Sequence, residues 1–155
     1  IKTYMKIGED EGGEVYQPEC LLPEKGFWHP PTLFTGVSQS HRVVQEEIFG
    51  PVLAIQTFRT VEEAIEKANN TPYGLSGGVW TDKGSKFFEV TREIRAGVMW
   101  ANTFNKFDPA SPFGGYKRSG IGRESGQEMI KEYLQLKSVW IETSNADAPN
   151  PFVLR

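Results

Sequence analysis

The spacing of apolar positions divides the chain into a recurring order of strand and helix. Val52 to Phe58, "VLAIQTF", is short, apolar and partly β-branched, which predicts a strand covered on both faces. The period then changes. Val61, Ala64, Ile65 and Ala68 fall at helical spacing and line one face of a segment running from Thr60 to Asn69. Thr60 can accept from the backbone donor three residues on and Glu63 can reach back, while Asn69-Asn70-Thr71-Pro72 ends the helix. Leu75 to Trp80 predicts the next strand. Ser85 to Arg95 predicts a helix with Phe87, Phe88, Thr91 and Ile94 inward and Gly97 as its exit, and Val98 to Asn102 a third apolar strand. This order implies crossover connections and a parallel sheet, so the expected fold class is α/β.

The flanks read differently. Arg123 to Leu134 predicts a third helix through Met129, Ile130, Tyr133 and Leu134. In Lys137 to Thr143, Val139 and Ile141 alternate with polar neighbours, a half-polar strand suited to a sheet edge or an intermolecular pairing. The tail from Ser144 to Arg155 has little apolar content and is expected to be loose. Residues 16–36 are interrupted by Pro18, Pro23, Pro30 and Pro31 and read as irregular, with an extended entry at Thr32-Leu33-Phe34. Ile1, Tyr4 and Met5 already carry the stripe of a helix with no capping residue before it, which suggests a portion of a longer polypeptide.

Composition narrows the function classes. A chain of 155 residues is one domain by size, and its net charge of −3 offers no basic field for nucleic acid or anionic lipid. Apolar runs of only a few residues leave no membrane span. The single cysteine, Cys20, cannot form an internal disulfide, and with no charged-then-apolar leader this suits a reducing compartment, so a cytoplasmic protein is expected.

Several chemical candidates fail on inspection. Cys20 sits in a Pro-flanked loop with no neighbouring His and no Gly-rich turn to hold an oxyanion, so it reads as a small neutral side chain rather than a nucleophile. His29 and His41 lack neighbouring ligand residues for a metal site. The loop Gly114 to Gly126, "GGYKRSGIGRESG", has cations and glycines, but its G-x-G-x-x-x-G is one residue too long for a dinucleotide fingerprint and no strand leads into it. Asn102 is more promising, because an amide at the carboxyl end of an apolar strand lies where open α/β sheets bind ligands, and Phe104, Phe107 and Phe113 follow it. The stretch "QEEIFGPV", Gln45 to Val52, places two carboxylates and a Phe at the mouth of a predicted strand. A solvated pair is the plain reading.

Four segments in order carry a family resemblance: "EEIFGPV" (Glu46 to Val52), "ANNTPYGL" (Ala68 to Leu75), "GVMWAN" (Gly97 to Asn102) and "SPFGGYKRSGIGRESG" (Ser111 to Gly126). With "GFWHPPTLF" (Gly26 to Phe34) before them, the chain resembles the aldehyde dehydrogenases to about Thr143. The resemblance implies oxidation of an aldehyde to a carboxylic acid with NAD or NADP, through a cysteine thiolate, a hydride transfer and a glutamate that activates water. It places Glu47 at the glutamate that binds the nicotinamide-side ribose and Phe49 at the aromatic beside it; an ionised carboxylate is an acceptor-only partner for a ribose diol. Glu46 is expected to be structural. Asn102 matches an Asn close to the substrate, and Phe107 and Phe113 match positions lining the aldehyde tunnel. The resemblance further implies that residues 1–136 are the C-terminal part of the catalytic domain, 137–143 an oligomerisation strand of a homo-oligomer, and 144–155 a tail. Cys20 lies too close to Glu47 to be the family nucleophile, so the chain by itself is expected to be inactive. The alternative is a non-catalytic scaffold or interaction module that kept the fold.

Overall fold

A computed structural model describes residues 1–145, 147, 150, 152 and 153. Lys2–Asp10 forms α1, followed by β1 (Glu14–Tyr16), β2 (Thr32–Thr35), α2 (Arg42–Gln45) and β3 (Val52–Ala54). Then come α3 (Val61–Asn69), β4 (Tyr73–Gly74), β5 (Ser76–Val79), α4 (Gly84–Glu93), β6 (Val98–Ala101), β7 (Tyr116–Lys117) and α5 (Met129–Glu132). The α/β class holds, and the parallel pairs β2–β3 and β5–β6 are each joined through a helix. The expected single sheet does not form among the described residues. β1-β2-β3 make one sheet, β5-β6 a second and β4-β7 a third.

The first sheet carries the small core. Phe34 is fully buried and packs with Val37 and Val43, while Met5, Val15, Val44, Ile48, Val52 and Ala54 close around them. Full burial of such a ring contributes about 2–3 kcal/mol. The α1 helix approaches so closely that its Gly8 leaves no room for a Cβ beside the Phe34 ring. Val52 to Phe58 was expected to be a strand covered on both faces. It is a strand only over Val52–Ala54, and Leu53 and Ile55 are exposed. Val52 and Ala54 face the Phe34 core, whereas Leu53 and Ile55 share the opposite face, which is left in water among the described residues.

The α3 helix forms as its sequence predicts. The Thr60 hydroxyl accepts from the Glu63 backbone N–H at 3.2 Å. The reciprocal contact is shifted by one residue, because the Glu63 carboxylate accepts from the backbone N–H of Arg59 at 2.8 Å. The same carboxylate pairs with Lys67 at 2.8 Å. Lys67 and the Arg59 N–H together hold Glu63 down to a pKa of about 2.

In the second sheet, Gly77 lies opposite Met99 and Gly78 opposite Trp100. A Cβ on Gly77 would meet the Met99 sulfur, so the bare strand makes space for the large residues of β6. Where β6 begins, the Cα of Gly97 backs onto the carbonyl of Gly114, and no side-chain atom fits between them. Lys117 closes the third sheet against α3, its Nζ donating to the carbonyls of Asn69 at 2.9 Å and Thr71 at 3.0 Å.

The helix expected over 123–134 is corrected. Only Met129–Glu132 of the helix predicted over 123–134 is helical. Ser125 and Gly126 adopt left-handed φ values of 63° and 62°, and Glu124 pairs with Phe113 across a bridge, so the backbone there is committed elsewhere. Lys137 to Thr143 belongs to no strand. A strand needs a second strand to complete its ladder, and no described residue pairs with this segment. Val139, Trp140 and Ile141 are consequently exposed. The tail expected to be loose lies in part outside the described residues.

Candidate functional site

The two adjacent acids of "QEEIFGPV" have different environments. Glu46 follows α2, where Arg42 stands four residues before it on the same helical face. Arg42 donates from Nε to Glu46 Oε1 at 2.8 Å and from a terminal nitrogen to Oε2 at 2.9 Å. The Tyr4 hydroxyl donates to the same Oε2 at 2.8 Å, tying α1 to α2. These bonds, Arg42's first, hold the Glu46 carboxyl down to about 2. Its role is structural, as the sequence reading expected.

Glu47 is exposed, lines an open cleft of about 1020 Å³, and has no side-chain partner among the described residues. The cleft runs under α3 and α4 along β5, with Gln39, Gln56, Phe58, Ile65, Trp80 and Thr81 among its walls. An unpaired carboxylate beside an apolar surface accepts hydrogen bonds and offers none, which fits a vicinal diol. Two residues on, Phe49 is 89% exposed and sits at φ 52°. A left-handed conformation at a bulky residue costs roughly 1–2 kcal/mol and survives only where its surroundings fix it. Here the chain must turn sharply into Gly50-Pro51 and then β3.

Asn102 ends β6, also in a left-handed conformation, at φ 52°. Its Oδ1 accepts from the Thr81 backbone N–H at 2.9 Å, and its Nδ2 donates to the Thr81 carbonyl at 2.9 Å. The amide therefore bridges the end of β6 to the segment after β5, and through Thr81 it reaches the wall of the Glu47 cleft.

Phe107 and Phe113 come together, with ring centroids 5.3 Å apart in an edge-on arrangement. They line a second opening with Lys106, Asp108 and Glu124. The aromatic chain continues through Trp100, 5.7 Å from Phe107 and 4.9 Å from Phe104, to Trp80, 6.3 Å from Phe104. Glu47 and the Phe107–Phe113 pair thus line different openings. Trp80 and Trp100 escaped the sequence reading, although an indole on an apolar strand always raises the question of its N–H partner.

Cys20 is an exposed free thiol, and no group of metal-ligating side chains occurs among the described residues. In the glycine loop, Lys117 is used by the carbonyls at the end of α3. Arg123 donates to the carbonyls of Gly115 and Gly122, with its guanidinium over the Tyr116 ring.

The arrangement has close counterparts. The model of the aldehyde dehydrogenase family matches residues 1–139. The chain belongs to the aldehyde dehydrogenase family. Among its family relatives, a putative aldehyde dehydrogenase of Bacillus subtilis is 41% identical over 91% of this chain and 28% of its own length. A (Z)-2-((N-methylformamido)methylene)-5-hydroxybutyrolactone dehydrogenase of Acinetobacter baylyi is 46% identical over the whole chain and 32% of its own length. The fold matches a P. syringae indole-3-acetaldehyde dehydrogenase mutant solved in complex with NAD+ and IAA, with a TM-score of 0.82 and 44% identity over 90% of this chain and 29% of that one. The chain therefore spans about a third, or slightly less, of the aldehyde dehydrogenases it matches.

Proposed function

We propose that these residues form the C-terminal part of an NAD(P)-dependent aldehyde dehydrogenase catalytic domain, in a larger polypeptide that oxidises an aldehyde to a carboxylic acid. The observation that carries this reading is the Glu47 carboxylate, unpaired at the mouth of an apolar cleft in a chain of this family. Glu47 accepts from the two hydroxyls of the nicotinamide-side ribose, and Phe49, held outward by its left-handed backbone, packs beside it. Bound nicotinamide supplies the hydride acceptor. Phe107 and Phe113 form an apolar wall for the aldehyde, and Asn102, by fixing the end of β6 on Thr81, holds the loop that carries them. Residues 137–143 complete a sheet with another copy in a cytoplasmic homo-oligomer. The scaffold alternative leaves the free carboxylate at Glu47 without a use, whereas a structural acid would be engaged as Glu46 is.

Reduction of NAD with a panel of aldehydes, followed for the larger polypeptide and for the 155-residue chain alone, tests the assignment. The larger polypeptide is active and the short chain is not; turnover by the short chain overturns the site. A charged acceptor is worth about 1.5–3 kcal/mol per hydrogen bond. Glu47→Gln therefore lowers kcat/KM roughly 10- to 100-fold while the melting temperature holds. Parallel loss of stability and turnover would refute the ribose role.

A further inference from the structure

Of the aromatic pair assigned to the aldehyde wall, Phe113 is held by its bridge to Glu124, whereas Phe107 stands on a loop with little regular structure of its own, and something must fix its position. The loop from Thr103 to Ser111 follows β6 directly, contains Asn105 at a left-handed φ of 54°, and leaves both Phe104 and Phe107 well exposed. Trp100, by contrast, is 7% exposed and belongs to β6, which is hydrogen-bonded along its length to β5. Its indole Nε1 donates to the main-chain carbonyl of Lys106 at 3.0 Å. That carbonyl is the peptide link into Phe107. The same indole meets the Phe104 ring at 4.9 Å and 64°, and the Phe107 ring at 5.7 Å and 88°. One rigid side chain therefore holds the loop by a polar bond at one point and by edge-on ring contacts on either side of it. The pairing also satisfies the only polar atom of a buried side chain.

We propose that Trp100 is a positioning residue for aldehyde binding, fixing Phe107 against Phe113 through its indole N–H on the Lys106 carbonyl. The inference rests on the reading of Phe107 and Phe113 as the aldehyde wall. Trp100 itself touches no substrate, because its indole N–H is spent on the Lys106 carbonyl and its ring is covered by Phe104 and Phe107. Its effect is to keep the two phenyl rings at the spacing a bound apolar group requires, so that the loop loses little freedom on binding. An unanchored loop would have to be ordered by the aldehyde at each encounter. The cost then falls on aldehyde affinity and leaves the coenzyme side untouched.

The test uses the larger active polypeptide with Trp100→Phe, which keeps one aromatic ring but loses volume as well as the donor, and with benzothienylalanine at position 100, where sulfur replaces the indole N–H at nearly constant shape. One neutral hydrogen bond is worth about 1 kcal/mol, so KM for the aldehyde rises roughly fivefold in both, while KM for NAD stays within error and the melting temperature falls by about 2–4 °C at most. Unaltered aldehyde KM in the benzothienylalanine protein, or equal rises for aldehyde and NAD, overturns the role of Trp100. Phe107→Ala and Phe113→Ala serve as separate controls. If neither moves aldehyde KM, the wall itself is misassigned; if both do and position 100 does not, only the anchoring role falls.

Discussion

Asn102 offers the sharpest division between a structural and a substrate-facing amide, and its geometry fixes the expected numbers. Replacement by Gly deletes both hydrogen bonds to Thr81 but suits the backbone φ of 52°. The position is exposed, so each bond is worth the lower part of its usual range, and the pair contributes about 1–2 kcal/mol. Asn102→Ala loses the same bonds and keeps a Cβ in a left-handed backbone without the short polar side chain that makes that conformation tolerable, for roughly another 1 kcal/mol relative to Gly. Local opening at the Thr81 amide should therefore be easier by about 2–3 kcal/mol in the Ala variant, which is roughly a 30- to 150-fold faster exchange with deuterium. The Gly variant should fall between it and the unmodified protein. Amide hydrogen exchange read by mass spectrometry on peptides spanning residues 76–83 and 98–104 follows both ends of the bridge. If Thr81 exchanges within about twofold of the unmodified rate in Asn102→Ala, the bridge contributes nothing and the reasoning fails. Aldehyde KM measured on the same variants then shows whether the amide acts through the loop or on the substrate.

Two further outcomes follow from the fold. Glu46 has a folded pKa of about 2 against an ordinary 4.5, so its pairing with Arg42 and Tyr4 stabilises the protein fully above pH 4.5 and is lost as pH falls toward 2. Melting temperatures of the unmodified protein and Glu46→Gln should differ at neutral pH and converge in acid; a constant gap would discard the network. Thr60→Ala removes the cap on α3 and should destabilise the protein by about 1 kcal/mol, with Thr60→Ser restoring most of it in thermal unfolding.

How far the chain could be read in advance depended on whether its signals were local. The α3 helix was legible because cap, apolar face and terminator all lie within the segment that folds. The parallel pairing of β5 with β6 was implied by the strand–helix–strand order, and the structure adds the register that sets Gly78 against Trp100. The buried centre at Phe34 was obscured by the prolines before it, since its partners Val37 and Val43 gather only once α2 turns back. Helical spacing at 123–134 misled because left-handed Ser125 and Gly126 serve the Phe113 bridge, a non-local demand. Glu47 was singled out by the family resemblance of its motif, and the structure adds the contrast with its neighbour, since Glu46 is bonded to Arg42 while Glu47 has no side-chain partner among the described residues. No periodicity marks the partner of the Trp100 indole, which comes from a main-chain atom in a loop.

The contact between Gly97 and the Gly114 carbonyl has a genetic consequence. Any missense change at codon 97 adds at least one carbon where there is space for none, so even alanine should behave as a severe allele at a residue that has no side chain to lose. The damage would be double, because the same displacement pries the start of the tryptophan-bearing strand from the segment that follows Phe113. A clinical or breeding screen that ranks variants by the chemistry of the side chain lost would overlook it.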